Sequence, residues 1–146
     1  MLHLDGMDPL LPAAALVAVT AVVWVRLYVV RFREMRHRRM APQSLATSRQ
    51  AAEALDQTGA GDNFKNLFEV PVLFYALCLA IAVSGADSDV LAVGSWVYVL
   101  LRAVHSAIQC TYNRVTHRFI VHATSTILLF ALWADLGLNL ARVGVA

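Results

Sequence analysis

Residues 67–84 read LFEVPVLFYALCLAIAVS, an apolar run in which Glu69 is the only charged side chain. A helix that crosses a membrane needs about 20 mostly apolar residues, and this run approaches that length. Three further runs have the same character and lie at residues 9–30, 90–112 and 119–141. The pattern predicts an all-α fold, an integral membrane four-helix bundle that forms a single domain over residues 1–146.

The composition agrees with a membrane protein and excludes other classes. Of the 146 residues, 59% are hydrophobic and 15% are charged, whereas soluble domains carry about 25% charged residues. The excess of apolar residues excludes a disordered chain, and a formal net charge of +2 is too small to indicate nucleic acid as a partner. Cys78 and Cys110 fall inside apolar runs, where cysteine acts as a small apolar residue. We expect membrane lipids as the surroundings and no bound metal.

Charge is distributed unevenly between the connections. The long connection at residues 31–66 and the short one before the fourth run hold most of the bases, namely Arg31, Arg33, Arg36, Arg38, Arg39, Arg49, Lys65, Arg114 and Arg118. The other side holds one arginine, Arg142, and the acids Asp5, Asp8, Asp87, Asp89 and Asp135. Since cytoplasmic loops carry an excess of Lys and Arg, we expect both termini to lie outside the cytoplasm, which for a bacterial inner membrane means the periplasm.

The third run carries its polar side chains on one helix face. At about 100° per residue, six of them fall within an arc of roughly 100°. These are Tyr98, Arg102, His105, Gln109, Tyr112 and Asn113. Because ionisable groups inside a membrane are costly and by default mark function, this face is predicted to line a polar cavity that opens to the cytoplasm.

The second run begins with a further polar set. Asp62, Asn66 and Glu69 share one helix face and are expected to join the cavity. An alternative explanation is an ion pair of Glu69 with Arg102 or Arg26, which would hold the helices together without any ligand.

Two local signals concern the backbone. Residues 44–57 are rich in Ala, Gln and Glu, which favours a helix in the long connection, and Gly59 and Gly61 are expected to end it. Pro71 is expected to loosen or kink the second membrane helix near its start.

The residue types of the predicted cavity suit a particular kind of ligand. Arginine forks bind carboxylates in a bidentate manner, and a glutamate can receive an ammonium group. A cationic site also lowers the pKa of a thiol and so favours the reactive thiolate. Glutathione, with two carboxylates, one ammonium and one thiol, has the matching groups. An anionic lipid headgroup matches them as well, so both ligands stay open at this point.

Two stretches resemble a known superfamily. Residues 63–71, NFKNLFEVP, resemble the second-helix signature of the MAPEG superfamily (membrane-associated proteins in eicosanoid and glutathione metabolism), which is Asn-x-x-Glu followed shortly by Pro. RAVH at residues 102–105, with YNR at 112–114 and RF at 118–119, resembles the third-helix region of bacterial members. The length, the four runs and the orientation match as well, so the resemblance covers essentially the whole chain.

The resemblance implies a homotrimer that binds glutathione between neighbouring subunits near the cytoplasmic side. By position, Asn66 and Glu69 would contact the glutathione backbone, with Glu69 receiving the α-ammonium group. Arg102 would be the buried arginine of the pocket. Arg118, or else Arg114, would stabilise the thiolate. The other ligand-binding positions that the resemblance implies are Arg31 or Arg33, His105, Gln109 and Tyr112.

The chain departs from the family pattern at three positions. Glutathione-using members carry an arginine one helical turn before the Asn-x-x-Glu motif, where this chain has Asp62. The change removes an anchor for a carboxylate and adds a like charge. His105 and Gln109 stand where the leukotriene synthase branch has tyrosines.

Three functions therefore remain open. The first is a membrane-embedded glutathione-dependent transferase or peroxidase that acts on lipophilic electrophiles. The second is a non-catalytic membrane subunit of the same fold, or a protein that binds a lipid headgroup or quinone. The third is electron transfer through a haem held by His105 and His122. A zinc site at His117 and His122 would lack a Cys, Asp or Glu ligand at metal spacing.

Overall fold

Helices long enough to cross a membrane dominate the computed structural model, which describes residues 8–55, 58–86 and 88–143. The helices in these ranges are α1 (Leu10–Arg38), α2 (Ser48–Ala54), α3 (Gly59–Asn66), α4 (Pro71–Ser84), α5 (Asp89–Cys110) and α6 (Val115–Val143). Four spans are long and apolar enough to cross a bilayer: α1, α3 with α4, α5, and α6. The predicted all-α, four-span membrane fold is confirmed.

The two ends of the bundle differ in charge. We call the end with the 85–88 link the acidic end, and the end with the 39–58 connection and the 111–114 link the basic end. Asp8 starts α1 at the acidic end, where its carboxylate accepts a hydrogen bond from the Leu10 N–H at 2.9 Å. Ser88 caps α5 there and also donates to Asp135. Asp5 and Asp87, which the charge argument also used, lie outside the described residues.

The spans extend further towards the basic end than the apolar runs indicated. α1 continues to Arg38 instead of ending at residue 30, and the second span begins at Gly59 instead of residue 67. The connection therefore shrinks from 31–66 to 39–58, and a 3-10 turn (Pro42–Leu45) and α2 stand where one helix over 44–57 was predicted. Hydropathy underestimates these spans because charged residues continue a helix once it leaves the apolar layer.

The glycines at the start of α3 have a different role from the predicted one. Gly59 and Gly61 begin this helix and do not end the preceding one, so that prediction was wrong. A Cβ atom at Gly59 would lie 2.6 Å from the backbone oxygen of Gln109. Gly59 therefore lets α3 approach the backbone of α5 more closely than any side chain would allow.

The second span is interrupted between α3 and α4. Residues 67–70 lie outside both helices, and Pro71 is the first residue of α4, where its missing N–H costs nothing. The predicted disturbance near Pro71 is thus a break. The Leu67 and Phe68 N–H groups in the break donate to the backbone oxygens of Asn63 and Lys65. The backbone oxygen of Asn66, the last residue of α3, takes its donor from elsewhere in the bundle.

α5 is the central helix of the bundle and packs against α6, α1 and α3. Its apolar half joins a core with α4 and α6, in which the Phe74 ring stacks on Tyr98 with centroids 4.5 Å apart. Gly94 lies close to Leu132 of α6. Four residues of the predicted polar face, Tyr98, Arg102, His105 and Gln109, are buried. The other two, Tyr112 and Asn113, lie beyond the end of α5 and are exposed.

The outer faces of the bundle are apolar and open. In the most apolar stretch of α1, only 11% of the residues are buried within the described protomer. Large side chains such as Val22, Leu100 and Ile127 are more than half exposed. In an integral membrane protein, these surfaces contact lipid or other helices.

Replacing Gly59 with alanine is expected to weaken the contact between α3 and α5. The new Cβ must push backbone away, and overpacking of this kind costs about 1–3 kcal/mol. Gly61→Ala is the matched control, because its Cβ would meet the Leu27 side chain at an ordinary 3.6 Å. Unfolding in detergent followed by circular dichroism should show a lower midpoint for Gly59→Ala alone. Equal midpoints for both variants would contradict the close approach.

Candidate functional site

A group of polar side chains, three of them buried and two partly buried, joins three helices towards the basic end. We call it the inner polar cluster, and its members are Arg102, His105 and Gln109 of α5, Asn66 of α3 and His122 of α6. Arg102 is 0% exposed and His105 and Gln109 are each 2% exposed. The structure thus brings together four of the predicted site residues and adds His122.

Arg102 supplies a donor for the last carbonyl group of α3. Its Nη2 donates to the backbone oxygen of Asn66 at 3.3 Å, and its Nη1 lies 3.1 Å from Nδ1 of His122. Asn66 is the last residue of α3, so the guanidinium caps the end of that helix from the neighbouring α5. One side chain therefore connects α3, α5 and α6.

His105 and Gln109 form a second chain of hydrogen bonds beside Arg102. His105 Nε2 lies 2.9 Å from Gln109 Oε1, which also accepts from Asn66 Nδ2 at 3.2 Å. On the other side of the ring, Nδ1 lies 3.2 Å from the backbone oxygen of Arg118. Both ring nitrogens face oxygen acceptors, and a neutral imidazole donates through only one nitrogen, so the neutral ring donates to one of these two oxygens. His105 thereby ties the start of α6 to α5.

The inner polar cluster is not fully satisfied. Within the described chain, Nε of Arg102 and the hydroxyl group of Tyr98 are buried without a hydrogen-bond partner. The two residues are one turn apart on the same face of α5. The polar face of α5 therefore extends beyond the last hydrogen bond of the cluster. Buried polar groups without partners are costly, so these two groups lower the stability of the protomer.

Glu69 does not form the ion pair that was the structural alternative. It lies in the break between α3 and α4 with its side chain exposed, and among the described residues it has no ion pair within 4.0 Å. Arg26 instead donates to the backbone oxygen of Cys110 at 3.2 Å. The ion-pair explanation of these charges was therefore wrong for the protomer.

The geometry also argues against the haem alternative. The rings of His105 and His122 lie with their centroids 5.5 Å apart, but both nitrogens of His105 are occupied by Gln109 and the Arg118 carbonyl. Nδ1 of His122 contacts Arg102. The two imidazoles are committed to protein partners, and His105 has no nitrogen to offer to an iron.

The predicted residues of the 111–114 link form a separate exposed group at the basic end. Tyr112 contacts Nδ1 of His117 through its hydroxyl at 3.1 Å, and Arg118 Nη1 donates to Asn113 Oδ1 at 3.0 Å. Asn113 adopts a positive φ of 48°, a conformation that asparagine tolerates well. The Arg118 guanidinium is thus held at the surface, while its backbone oxygen reaches the inner polar cluster.

A polar cleft of about 430 Å³ opens between α1, α3 and α5 at the basic end. Its lining residues are Arg26, Val30, Thr58, Gly59, Ala60, Gln109, Cys110, Thr111 and Asn113. The sequence predicted a polar cavity at this end, and Gln109 does line the cleft. Arg102 and His105 do not, because they are packed behind it against α3 and α6.

The two arginines predicted at the end of the first helix differ in their surroundings. Arg31 is partly buried, with its Nε shielded from solvent, whereas Arg33 is exposed in a groove along α1. Neither contacts the inner polar cluster through a hydrogen bond in the described part of the chain. Of these two arginines, Arg31 is the one whose side chain packs partly inside the bundle.

Sequence reasoning missed Asn63 and the structural role of His122. Asn63 is fully buried, donates to the Cys110 sulfur at 3.6 Å and accepts from Ser106 at 3.4 Å. Its spacing of three from Asn66 already put it on the same helix face. His122 was detectable as a polar residue near the start of the fourth apolar run.

Arg102→Met is expected to destabilise the bundle strongly. It leaves the Asn66 carbonyl and the His122 ring without their donor, and each hydrogen bond to a charged group is worth roughly 1.5–3 kcal/mol. We expect a loss of about 3 kcal/mol in the free energy of unfolding, measured by denaturation in mixed micelles. Arg114→Met, at the exposed link, is the control and should change little. Similar losses in the two variants would show that Arg102 has no special role.

The comparisons with known proteins agree with this architecture. The family model described as the MAPEG family matches residues 9–138. No curated protein and no solved structure matches the chain. At the level of the family, the match indicates a membrane function related to glutathione, of the transferase or peroxidase type. Because the match covers all four spans and most of the sequence, the chain belongs to the MAPEG family.

Proposed function

We propose that this protein is a membrane-embedded glutathione-dependent transferase or peroxidase that acts on lipophilic electrophiles. The observation that carries the proposal is the exposed Glu69 carboxylate at the break in the second span. A charged side chain on the outside of a membrane helix is costly unless it meets a partner. The α-ammonium group of glutathione is such a partner, and family membership supports this choice.

The neighbouring residues support two kinds of contact. Asn66 precedes Glu69 by one turn, is partly exposed, and would bind the peptide backbone of glutathione. Arg31 is the first-helix base that would receive a carboxylate, and Tyr112 is an exposed hydroxyl donor at the same end. The ligand-binding set is therefore drawn from the rim of the bundle.

The buried residues of the inner polar cluster would act as positioning residues. Arg102 holds the Asn66 backbone, Gln109 holds the Asn66 amide, and His105 holds the backbone of Arg118. A pocket built on a broken helix needs such support, because an interrupted span is not rigid by itself. Support of the ligand site would also explain why the protein has a buried polar cluster although some of its groups lack hydrogen-bond partners.

Arg118 would stabilise the glutathione thiolate. Its guanidinium is anchored by Asn113, and a fixed positive charge favours the ionised form of a nearby thiol. The thiolate then attacks the electrophile, which enters from the bilayer. Arg114 lies in the exposed link and has no such anchor among the described residues, so Arg118 is the better candidate.

The exposed position of Glu69 also supports a homotrimer with the site between subunits. A neighbouring copy that covers the outer face at the break would remove Glu69 from lipid and would enclose the ligand. The large apolar area left open on the spans supplies surface for such contacts. We place the basic end in the cytoplasm of a bacterial inner membrane, with both termini outside, on the charge distribution.

One observation favours the non-catalytic alternative, a membrane subunit or a lipid- or quinone-binding protein of the same fold. Asp62 is exposed in the first turn of α3, where glutathione-using relatives are expected to have arginine. A second acid on the helix face that leads to Glu69 repels the carboxylates of glutathione. The two functions are therefore separated by whether glutathione binds.

Glutathione is expected to bind to the purified protein with measurable heat in isothermal titration at millimolar ligand. Glu69→Gln should weaken binding by at least about tenfold, because the charge-assisted bond to the ammonium is lost. Glu53→Gln, an exposed carboxylate on α2, is the control and should bind like the unchanged protein. The absence of heat with the unchanged protein would exclude the transferase and peroxidase functions.

Asp62→Arg is expected to tighten glutathione binding by about tenfold or more, because repulsion is replaced by attraction to a carboxylate. Glu53→Arg makes the same change of charge on α2 and controls for a general effect of net charge. Titration of both variants, at two salt concentrations, separates the local effect from the general one. Equal affinities in the two variants would show that residue 62 lies outside the site.

A further inference from the structure

The last part of α1 carries a row of arginines along one helix face. Arg26, Arg33 and Arg36 recur with two valines between them, Val29 and Val30, at spacings of three and four residues. These side chains line a groove of about 770 Å³. The groove includes Arg33, which the resemblance gave as the alternative to Arg31, but it contains none of Arg31, Asn66 and Glu69. It is therefore separate from the glutathione site proposed above.

The depth of this groove corresponds to the surface of the membrane. α1 has 29 residues and is about 43 Å long at 1.5 Å per residue, whereas the hydrocarbon layer is about 30 Å thick. Counting from Leu10, the helix leaves the apolar layer near Val30. Arg26 is therefore just inside this layer, and Arg33 and Arg36 are at the level of the lipid headgroups.

Aromatic side chains on the opposite side of α1 support this depth. Trp24, Tyr28 and Phe32 follow one another with ring centroids 4.9 and 5.9 Å apart, and all three are exposed. Exposed aromatic residues of this kind concentrate at the interface between membrane and water. The groove and the aromatic row thus mark the same level from two sides of the helix.

The positive charge in the groove is largely uncompensated. The one acid that lines it, Glu34, pairs with Arg38 at its far end at 3.5 Å, and Arg38 also donates to the Ala54 carbonyl at 2.8 Å. Arg26 donates to the neutral Cys110 carbonyl, which leaves its charge unpaired. In the described part of the chain, Arg26, Arg33 and Arg36 form no ion pair. Guanidinium groups bind phosphate oxygens in a bidentate manner, and the two valines offer apolar surface between the charges.

We propose that this groove binds the phosphate headgroup of an anionic phospholipid from the leaflet at the basic end, with the upper acyl chain on Val29 and Val30. A lipid is favoured over a soluble anion because Arg26 is too deep for a ligand without an apolar part. The site is independent of glutathione binding. It would anchor α1, the span with the smallest buried share, to the surrounding lipid.

The test is native mass spectrometry of the full-length protein in detergent, with phosphatidylglycerol and phosphatidylcholine added in equal amounts. We expect the unchanged protein to retain phosphatidylglycerol in preference to phosphatidylcholine by on the order of tenfold. Arg33→Gln combined with Arg36→Gln should abolish most of this preference, and circular dichroism should show an unchanged helix content. Arg49→Gln combined with Arg114→Gln removes the same charge from the same end and should leave the preference within about twofold.

Three results would overturn the proposal. Equal retention of the two lipids by the unchanged protein would show that the groove does not select anionic headgroups. An equal loss of lipid preference in both double variants would show that the preference depends on the total charge of this end and not on the groove. Displacement of the bound lipid by millimolar inorganic phosphate or glutathione would assign the groove to a soluble anion.

Discussion

The guanidinium of Arg102 is the group on which the rest of the bundle depends. The second span breaks at residues 67–70, and inside a membrane no water is available to bond those carbonyl groups at the end of α3 that the backbone of the break leaves free. Arg102 donates to the last of them, at Asn66, and also contacts His122 of α6. The break can exist at this depth because a neighbouring helix carries a long, multiply donating side chain at the right height.

The break in turn decides where the proposed site lies. Glu69 lies within the break, three residues after Asn66. Its carboxylate lies outside the protomer while Asn66 is held from inside. The protein thus has a polar interior that holds the residues of the proposed site in place. It also has an exposed rim whose side chains are available to bind a ligand. The stretch Asn-x-x-Glu before Pro therefore contains one residue of each kind, Asn66 held from inside and Glu69 exposed.

Much of the fold and part of the site could be predicted from the chain alone. The inward face of α5 followed from helical spacing, and Tyr98, Arg102, His105 and Gln109 are buried as that spacing required. The span boundaries were less accurate, since α1 and α3 continue into charged or glycine-containing segments that hydropathy excludes. Gly59 was mistaken for a helix end because its reason for being glycine is a contact with Gln109, 50 residues away in the chain.

The sequence by itself determined that this protein lies in a membrane and how many spans it has, because hydropathy and the length of apolar runs are local properties. It also determined which end of the bundle is basic. Only the tertiary structure decided the partners of the polar groups. Arg102 binds a helix end and a histidine and not Glu69, and Arg26 binds a carbonyl group. Such choices depend on how the helices cross and at what depth each side chain lies, and neither is encoded in the spacing along a single helix.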